Sequence, residues 1–139
     1  MNILFFLTPK EHVAYVSETD TFEQVLEKME QNGYTAVPLL SHEGKYIGTI
    51  TEGDLLWAIN DMGMPSRERL RTVRITSVKR RRDNQAVNIL ANMEDLFEKM
   101  TNQNFVPVVD DNKVFIGIVT RKDLLLYLRD KIREHEQQA

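Results

Sequence analysis

Apolar residues recur along this chain at two periods, and each change of period marks a predicted element. Phe22, Val25, Leu26 and Met29 fall at i, i+3, i+4 and i+7, the stripe of an amphipathic helix. Asp20 is placed to cap that helix, with Glu23 three residues on, and Gly33 to stop it. "TAVPLL" (35–40) and "YIGTIT" (46–51) are short β-branched-rich runs joined by a turn over 42–45, which predicts a hairpin. The succession then returns. "MEDLFEKM" (93–100) parallels "FEQVLEKM" (22–29), "FVPVV" (105–109) parallels "AVPLL" (36–40), and a turn at 110–113 leads into another strand. A short extended run precedes each copy of the helix, "VAYV" at 13–16 and "QAVNI" at 85–89. Pro38 and Pro107 predict an edge or a bulge in their strands. Further helices follow from Glu52 and Arg121, and residues 61–84 join the halves with some helix around 67–74. Each half reads strand, helix, strand, strand, helix. Neither is large enough to bury a sizeable core alone, so the two are expected to pack on one another.

The most specific identity between the copies is polar. "GTITEGDLLW" (48–57) and "GIVTRKDLLL" (117–126) share Gly, Thr, Asp and a Leu pair in register. Thr51 with Asp54, and Thr120 with Asp123, are capping boxes, which accounts for Thr and Asp without a ligand. Capping does not account for Gly48 and Gly117, which mark a close approach by backbone or ligand. Free N–H groups at a helix start suit a phosphate, and an ionised Asp accepts two hydrogen bonds from a vicinal diol such as ribose.

A Gly-hydrophobic-hydrophobic-Thr-x-x-Asp motif, present twice and each time after a "-VP-" strand, resembles a tandem pair of CBS domains, a Bateman module. The resemblance implies an α+β fold: two β-α-β-β-α repeats packed through their sheets with pseudo-twofold symmetry, repeat 1 over 8–62, a linker over 63–83 and repeat 2 over 84–133. It also implies two clefts for adenosine-containing ligands such as AMP, ADP or ATP. One would use Ala14, Tyr34, Thr35, Ala36 and Val37 with Thr120, Arg121 and Asp123. The other would use Gln85, Val87, Phe105 and Val106 with Thr51 and Asp54. Both Asp residues are present, so both sites are expected to be competent, with unequal affinity because Arg121 and Lys122 neutralise phosphate and Glu52 repels it. Arg80 and Arg82, from the basic run 79–82, are further phosphate candidates.

The implied function is regulatory. An adenine nucleotide would bias the packing of the halves, and an unknown protein partner would respond in trans. Apolar excess at Leu124, Leu125, Leu126 and Leu128 points to a homodimer. A narrower alternative is a cyclic di-AMP receptor, similar to small two-CBS proteins of the DarB/CbpB type. Others are an enzyme of nucleotide metabolism and a nucleic-acid adaptor working through the basic run. Against the adaptor stands a net charge of −3. Against an enzyme, the two Asp residues lie in separate symmetric copies, no serine has a nucleophile-elbow context, and catalytic residues are not expected. His12, His42 and His135 lack metal-ligand spacing, so neither a metal nor a cofactor is expected. "MNILFFL" is too short for a signal-peptide core, no segment reaches the length of a membrane span, and there is no cysteine, which fits a cytoplasmic protein.

Overall fold

A computed structural model describes residues 2–138. In chain order its elements are β1 (Thr8–Pro9), β2 (Val16–Ser17), α1 (Phe22–Asn32), β3 (Ala36–Leu40), β4 (Tyr46–Thr51), α2 (Glu52–Asp61), α3 (Arg67–Leu70), β5 (Val87–Asn88), α4 (Met93–Met100), β6 (Phe105–Val109), β7 (Phe115–Thr120) and α5 (Arg121–Gln138). One sheet runs β2-β3-β4 and the other β1-β7-β6-β5, each with a parallel and an antiparallel pairing around its proline strand. This is the expected α+β pair of repeats.

Local details depart from the sequence reading. The cap of α1 is Thr21, in a reciprocal box with Gln24, while Asp20 accepts from the Ser17 amide at 2.9 Å. Gly33 ends that helix in the left-handed conformation, φ 64°. Linker helix stops at Leu70 because Thr72 to Arg74 are drawn onto α1: Phe22 N–H donates to Val73 O at 2.7 Å. The extended runs before each helix shrink to two paired residues. Their shortness matters, because β2 reaches only Leu39 and Leu40. At Pro38 the middle strand is therefore locally an edge, with a bulge beside it between Leu39 and Leu40, and a residue without an N–H costs nothing there.

The cores exchange segments. Repeat 1 packs Phe22, Val25, Val37, Leu39, Ile50 and Leu55 with Leu70, Ile75 and Val78 of the joining segment. Repeat 2 packs Leu96, Val106, Val108, Val119 and Leu124 with Ile3 and Phe6 from the start of the chain. Each repeat is thus completed by the residues that precede the other one. The motif glycines are where these arms cross. A Cβ on Gly117 would overlap the Thr8 carbonyl oxygen and lie 3.1 Å from Pro9 Cα, in the β1–β7 pairing. A Cβ on Gly48 would overlap Asp83, whose Oδ1 takes the Thr49 amide at 2.9 Å in place of a neighbouring strand. Close approach is by the chain itself.

Where the repeats face each other, the two hairpin turns join: Phe115 N–H donates to Gly44 O at 2.9 Å and Lys45 bridges to Val114. Tyr46 stacks on Phe115 with ring centroids 6.5 Å apart.

Candidate functional site

The unpaired flank of β3 becomes one wall of a cleft of about 270 Å³. Tyr34, Thr35, Ala36 and Pro38 line it from repeat 1, together with His12, Val13 and Ala14 of the preceding arm. Asn104, Phe105, Ile118 and Thr120 line it from repeat 2, and Thr8 of β1 closes the floor. Alternation along β3 turns Ala36 and Pro38 towards this space and Val37 into the core, where it is 1% exposed. Of the first predicted set, Ala14, Tyr34, Thr35, Ala36 and Thr120 meet here, while Val37 and Asp123 are not among the lining residues. Arg121 turns back to its own repeat, its guanidinium donating to Met100 O at 3.0 Å and Gln103 O at 2.8 Å.

The two Thr–Asp pairs differ. Asp123 is exposed; its amide donates to Thr120 Oγ1 at 3.1 Å, while among the described residues its carboxylate has no hydrogen-bond partner. Asp54 is 1% exposed, with Oδ2 accepting from Thr51 N–H and Oδ1 from Arg81 N–H, both at 3.0 Å. Both of its oxygens are engaged within the chain, a difference between the pairs in the direction of the unequal affinity expected of them.

The pseudo-symmetric counterpart of the cleft is crossed by hydrogen bonds. Gln103, the counterpart of Tyr34, accepts from the Gln85 amide at 2.8 Å and donates to Gln85 O and Phe105 O. Asn84 donates its amide to Thr49 Oγ1 and its side chain to Phe105 O. The Tyr46 hydroxyl bonds Thr49 Oγ1 and donates to Asn84 O. Phe105 itself lines the open cleft instead, while Val87 and Val106 are core residues. Of the second predicted set, Gln85 borders a polar hollow of about 290 Å³ with Arg82, Asp83 and Gln103, and Asp54 lines another of about 250 Å³ with Trp57, Lys79 and Arg81.

Burial pushes the Tyr46 hydroxyl up from 10.0 to about 12, against the Thr49 hydrogen bond, which lowers it; Asp83 adds to the rise and Arg80 subtracts. The folded state thus holds this proton more tightly than the unfolded chain. Its contribution is whole below pH 10 and is lost as pH climbs from 10 towards 12, on the order of 2 kcal/mol. Tyr46→Phe is expected to cost about 1 kcal/mol at pH 7. Urea unfolding should show that deficit vanishing by pH 11.5, because the variant has no phenol to ionise at this position. A constant deficit across that range would contradict the buried-phenol account.

The basic run is dispersed. Arg80 pairs with Asp83 at 2.8 Å, Arg81 lies over Trp57 at 4.8 Å, and Arg82 borders a polar hollow with Gln85, Glu98 and Lys99. Lys122 lies with Leu125, Leu126 and Arg129 on a slope that shares Asn104 and Thr120 with the cleft. Thr8, His12, Val13, Pro38, Asn104 and Ile118 were not in the predicted sets. Pro38 and Ile118 follow from strand alternation with Ala36 and Thr120, and Asn104 is in register with Thr35. Thr8 carries no local signal, being brought in by the exchanged arm, and His12 is marked in the sequence only by its place just before the first extended run. Among the described residues, no group of three or more His, Asp or Glu side chains is placed to hold a metal ion, and no helix is long and apolar enough to cross a membrane.

A profile of the CBS domain matches residues 7–61 and 78–130. The cyclic di-AMP receptor B of Bacillus subtilis is 28% identical over 128 residues, covering 92% of this chain and 86% of that protein. An uncharacterized protein of Methanocaldococcus jannaschii is 29% identical over 116 residues and one of Methanopyrus kandleri 30% over 114; each match covers 78% of this chain but only 41% and 54% of those longer proteins. Among solved structures, CbpB in complex with c-di-AMP superposes with TM-score 0.88 at 26% identity, covering 100% of this chain and 91% of that one. Listeria monocytogenes CbpB in complex with c-di-AMP gives 0.82 at 27% identity, covering 94% and 97%.

Proposed function

Since the chain belongs to the CBS-domain family, with two copies of the repeat, we propose that it is a regulatory receptor whose ligand is cyclic di-AMP. The observation that carries this is the open cleft lined by both repeats, in a chain of which the c-di-AMP-bound CbpB structures cover 100% and 94%. Adenine would enter between Ala14, Tyr34 and Ala36, with Thr120 and the Lys122 amide in the first turn of α5 on a phosphate. Asp123 would accept from a ribose 2′-hydroxyl. The rest of the dinucleotide would lie over the slope bearing Lys122 and Arg129.

Asp123 also supports AMP or ATP as the ligand, since their riboses offer it two hydroxyls and those of a cyclic dinucleotide offer one. A thermal-shift panel of c-di-AMP, AMP, ADP and ATP separates the two. At one hundred times Kd the cognate ligand stabilises by about 2.7 kcal/mol, raising Tm by about 10 °C. The expected result is that c-di-AMP does so with one molecule per chain in calorimetry. An equal or larger shift with AMP or ATP would make the protein a general adenine-nucleotide sensor, and no shift with any would remove the nucleotide reading.

In this reading the protein works in the cytoplasm without catalysing a reaction, and a partner protein reads its ligand state, which requires that ligand bind two packing states unequally. A second copy would cover the outer faces of the helices. Leu125, Leu126, Leu128 and Ile132 are exposed on α5 beside Lys122 and Arg129, while the hollow between α1 and α2 is apolar with Glu30 and Glu52 at its rim. These opposite rims favour a head-to-tail pair. A chain that sediments as a monomer at tens of micromolar, with and without ligand, would remove the dimer.

A further inference from the structure

The two flanks of α2 keep different company. Leu55, Leu56 and Ile59 line the hollow shared with α1, while Trp57, Ala58 and Asp61 face the joining segment. On that second flank α2 and the segment enclose the hollow of about 250 Å³, to which Met62, Val73 and Val78 add apolar lining and Lys79 and Arg81 add charge. Trp57, the one tryptophan of the chain, is 46% exposed here, with the Arg81 guanidinium 4.8 Å from the centre of its ring. The Arg69 guanidinium adjoins the same hollow, donating to Met62 O at 3.4 Å. Charge on the segment is lopsided: residues 67–82 hold eight Lys and Arg against a single acid, Glu68. Glu23 takes Arg67 and Arg71, and Asp83 takes Arg80. Arg69, Lys79 and Arg81 form no ion pair among the described residues.

We infer that this hollow is a docking site for a partner protein, and that its occupant is an acidic segment carrying an apolar anchor. The apolar lining receives the anchor, and carboxylates on either side of it pair with Arg69, Lys79 and Arg81. Trp and Arg brought together in a partly exposed hollow are the side chains from which interface hot spots are drawn. A nucleic acid suits the site less well. Asp61 is exposed beside it and repels phosphate, one indole is no platform for successive bases, and the rest of the chain is acidic. The hollow is also tied to the packing of the repeats, because Arg81 N–H is the donor that fastens the segment to Asp54.

The inference rests on the reading that a partner protein responds to this chain, and the experiment keeps it apart from the ligand. With no other tryptophan present, emission from Trp57 reports on this hollow alone. The full chain is titrated with the peptide Glu-Glu-Leu-Phe-Glu-Glu, with a Gly-Gly version of equal charge, and with a single-stranded oligothymidylate of similar charge, each with and without c-di-AMP. The Leu-Phe peptide is expected to change the emission saturably and to bind at least tenfold more tightly than the Gly-Gly one. Arg81→Glu keeps the backbone N–H that Asp54 needs and should weaken that peptide at least tenfold while leaving c-di-AMP affinity unchanged. Lys79→Glu, away from the indole stack, repeats the test should the first variant fold poorly. No saturable response, equal binding of the Gly-Gly peptide, or tighter binding of the oligothymidylate overturns the inference. So does emission that shifts with chain concentration alone, which would give the hollow to a second copy. Calorimetry with c-di-AMP on the same samples decides the receptor separately: its failure beside intact peptide binding removes the receptor and leaves the docking site.

Discussion

Gly117→Val is expected to destabilise the protein by about 3 kcal/mol, the upper end of what overpacking costs. The new side chain meets backbone, the Thr8 carbonyl and Pro9 Cα, so no rotamer change relieves it. What yields is the arm, and with it Ile3 and Phe6 leave the core of repeat 2, where they are 1% and 7% exposed. Phe6→Ala removes the same anchor from the other end, with a loss of about 3–5 kcal/mol. Because both substitutions release one segment, the double variant should lose clearly less than the sum of the singles. Denaturant unfolding of the four proteins measures the cycle, and strict additivity would mean that the arm is not a unit. Gly48→Val should cost less, since it meets side chains, the Asp83 carboxylate and the Arg80 guanidinium, which can move at the expense of the Thr49 amide's acceptor. Gly117→Val carries a functional signature as well: Thr8 and His12 leave the cleft with the arm, so ligand affinity should fall at least tenfold at temperatures where the fold persists.

That exchange of arms also explains what could and could not be read from the sequence. The helix stripe from Phe22 to Met29, the hairpin around its turn and the return of both were legible because each depends on neighbours a few residues away. The start of α1 was misplaced by one residue because Asp20 and Thr21 are both capping types, and the choice fell to Thr21, held by a bridge to Arg74 far along the chain. "MNILFFL" registered only as a short apolar stretch, since its partners in the core lie beyond residue 86. Gly48 and Gly117 were rightly singled out as points of close approach; that the approaching group is another part of the chain is a long-range fact. The asymmetry of the two clefts had a faint local sign in Gln103 opposite Tyr34, and Tyr46 opposite Phe115. Among the described residues Gln103 and Tyr46 bond to Gln85, Phe105, Thr49 and Asn84, whereas the side chains of Tyr34 and Phe115 make no such bonds.

The same long-range packing separates the two aspartates, and substitution makes the difference measurable. Asp54→Asn keeps the shape of the side chain but replaces one acceptor by an NH2 group that must face either Thr51 N–H or Arg81 N–H. A buried donor set against a donor leaves both unsatisfied, so the expected loss is about 2–3 kcal/mol and about 10 °C in Tm. Asp123→Asn meets solvent and no protein partner, and stability should move by less than about 0.5 kcal/mol. Ligand affinity is expected to respond in the opposite order: weakened by the Asp123 change through loss of an anionic acceptor for ribose, and little altered by the Asp54 change below its melting transition. The identical motif would then perform two jobs. Thr51 and Asp54 fasten the joining segment to α2, and the arrival of Arg81 N–H commits them to it. Thr120 and Asp123 receive no such segment, and among the described residues the Asp123 carboxylate has no hydrogen-bond partner. Should Asp54→Asn leave Tm unchanged while abolishing binding, that division of labour would be refuted, since a buried carboxylate with both oxygens occupied cannot be dispensable to the fold.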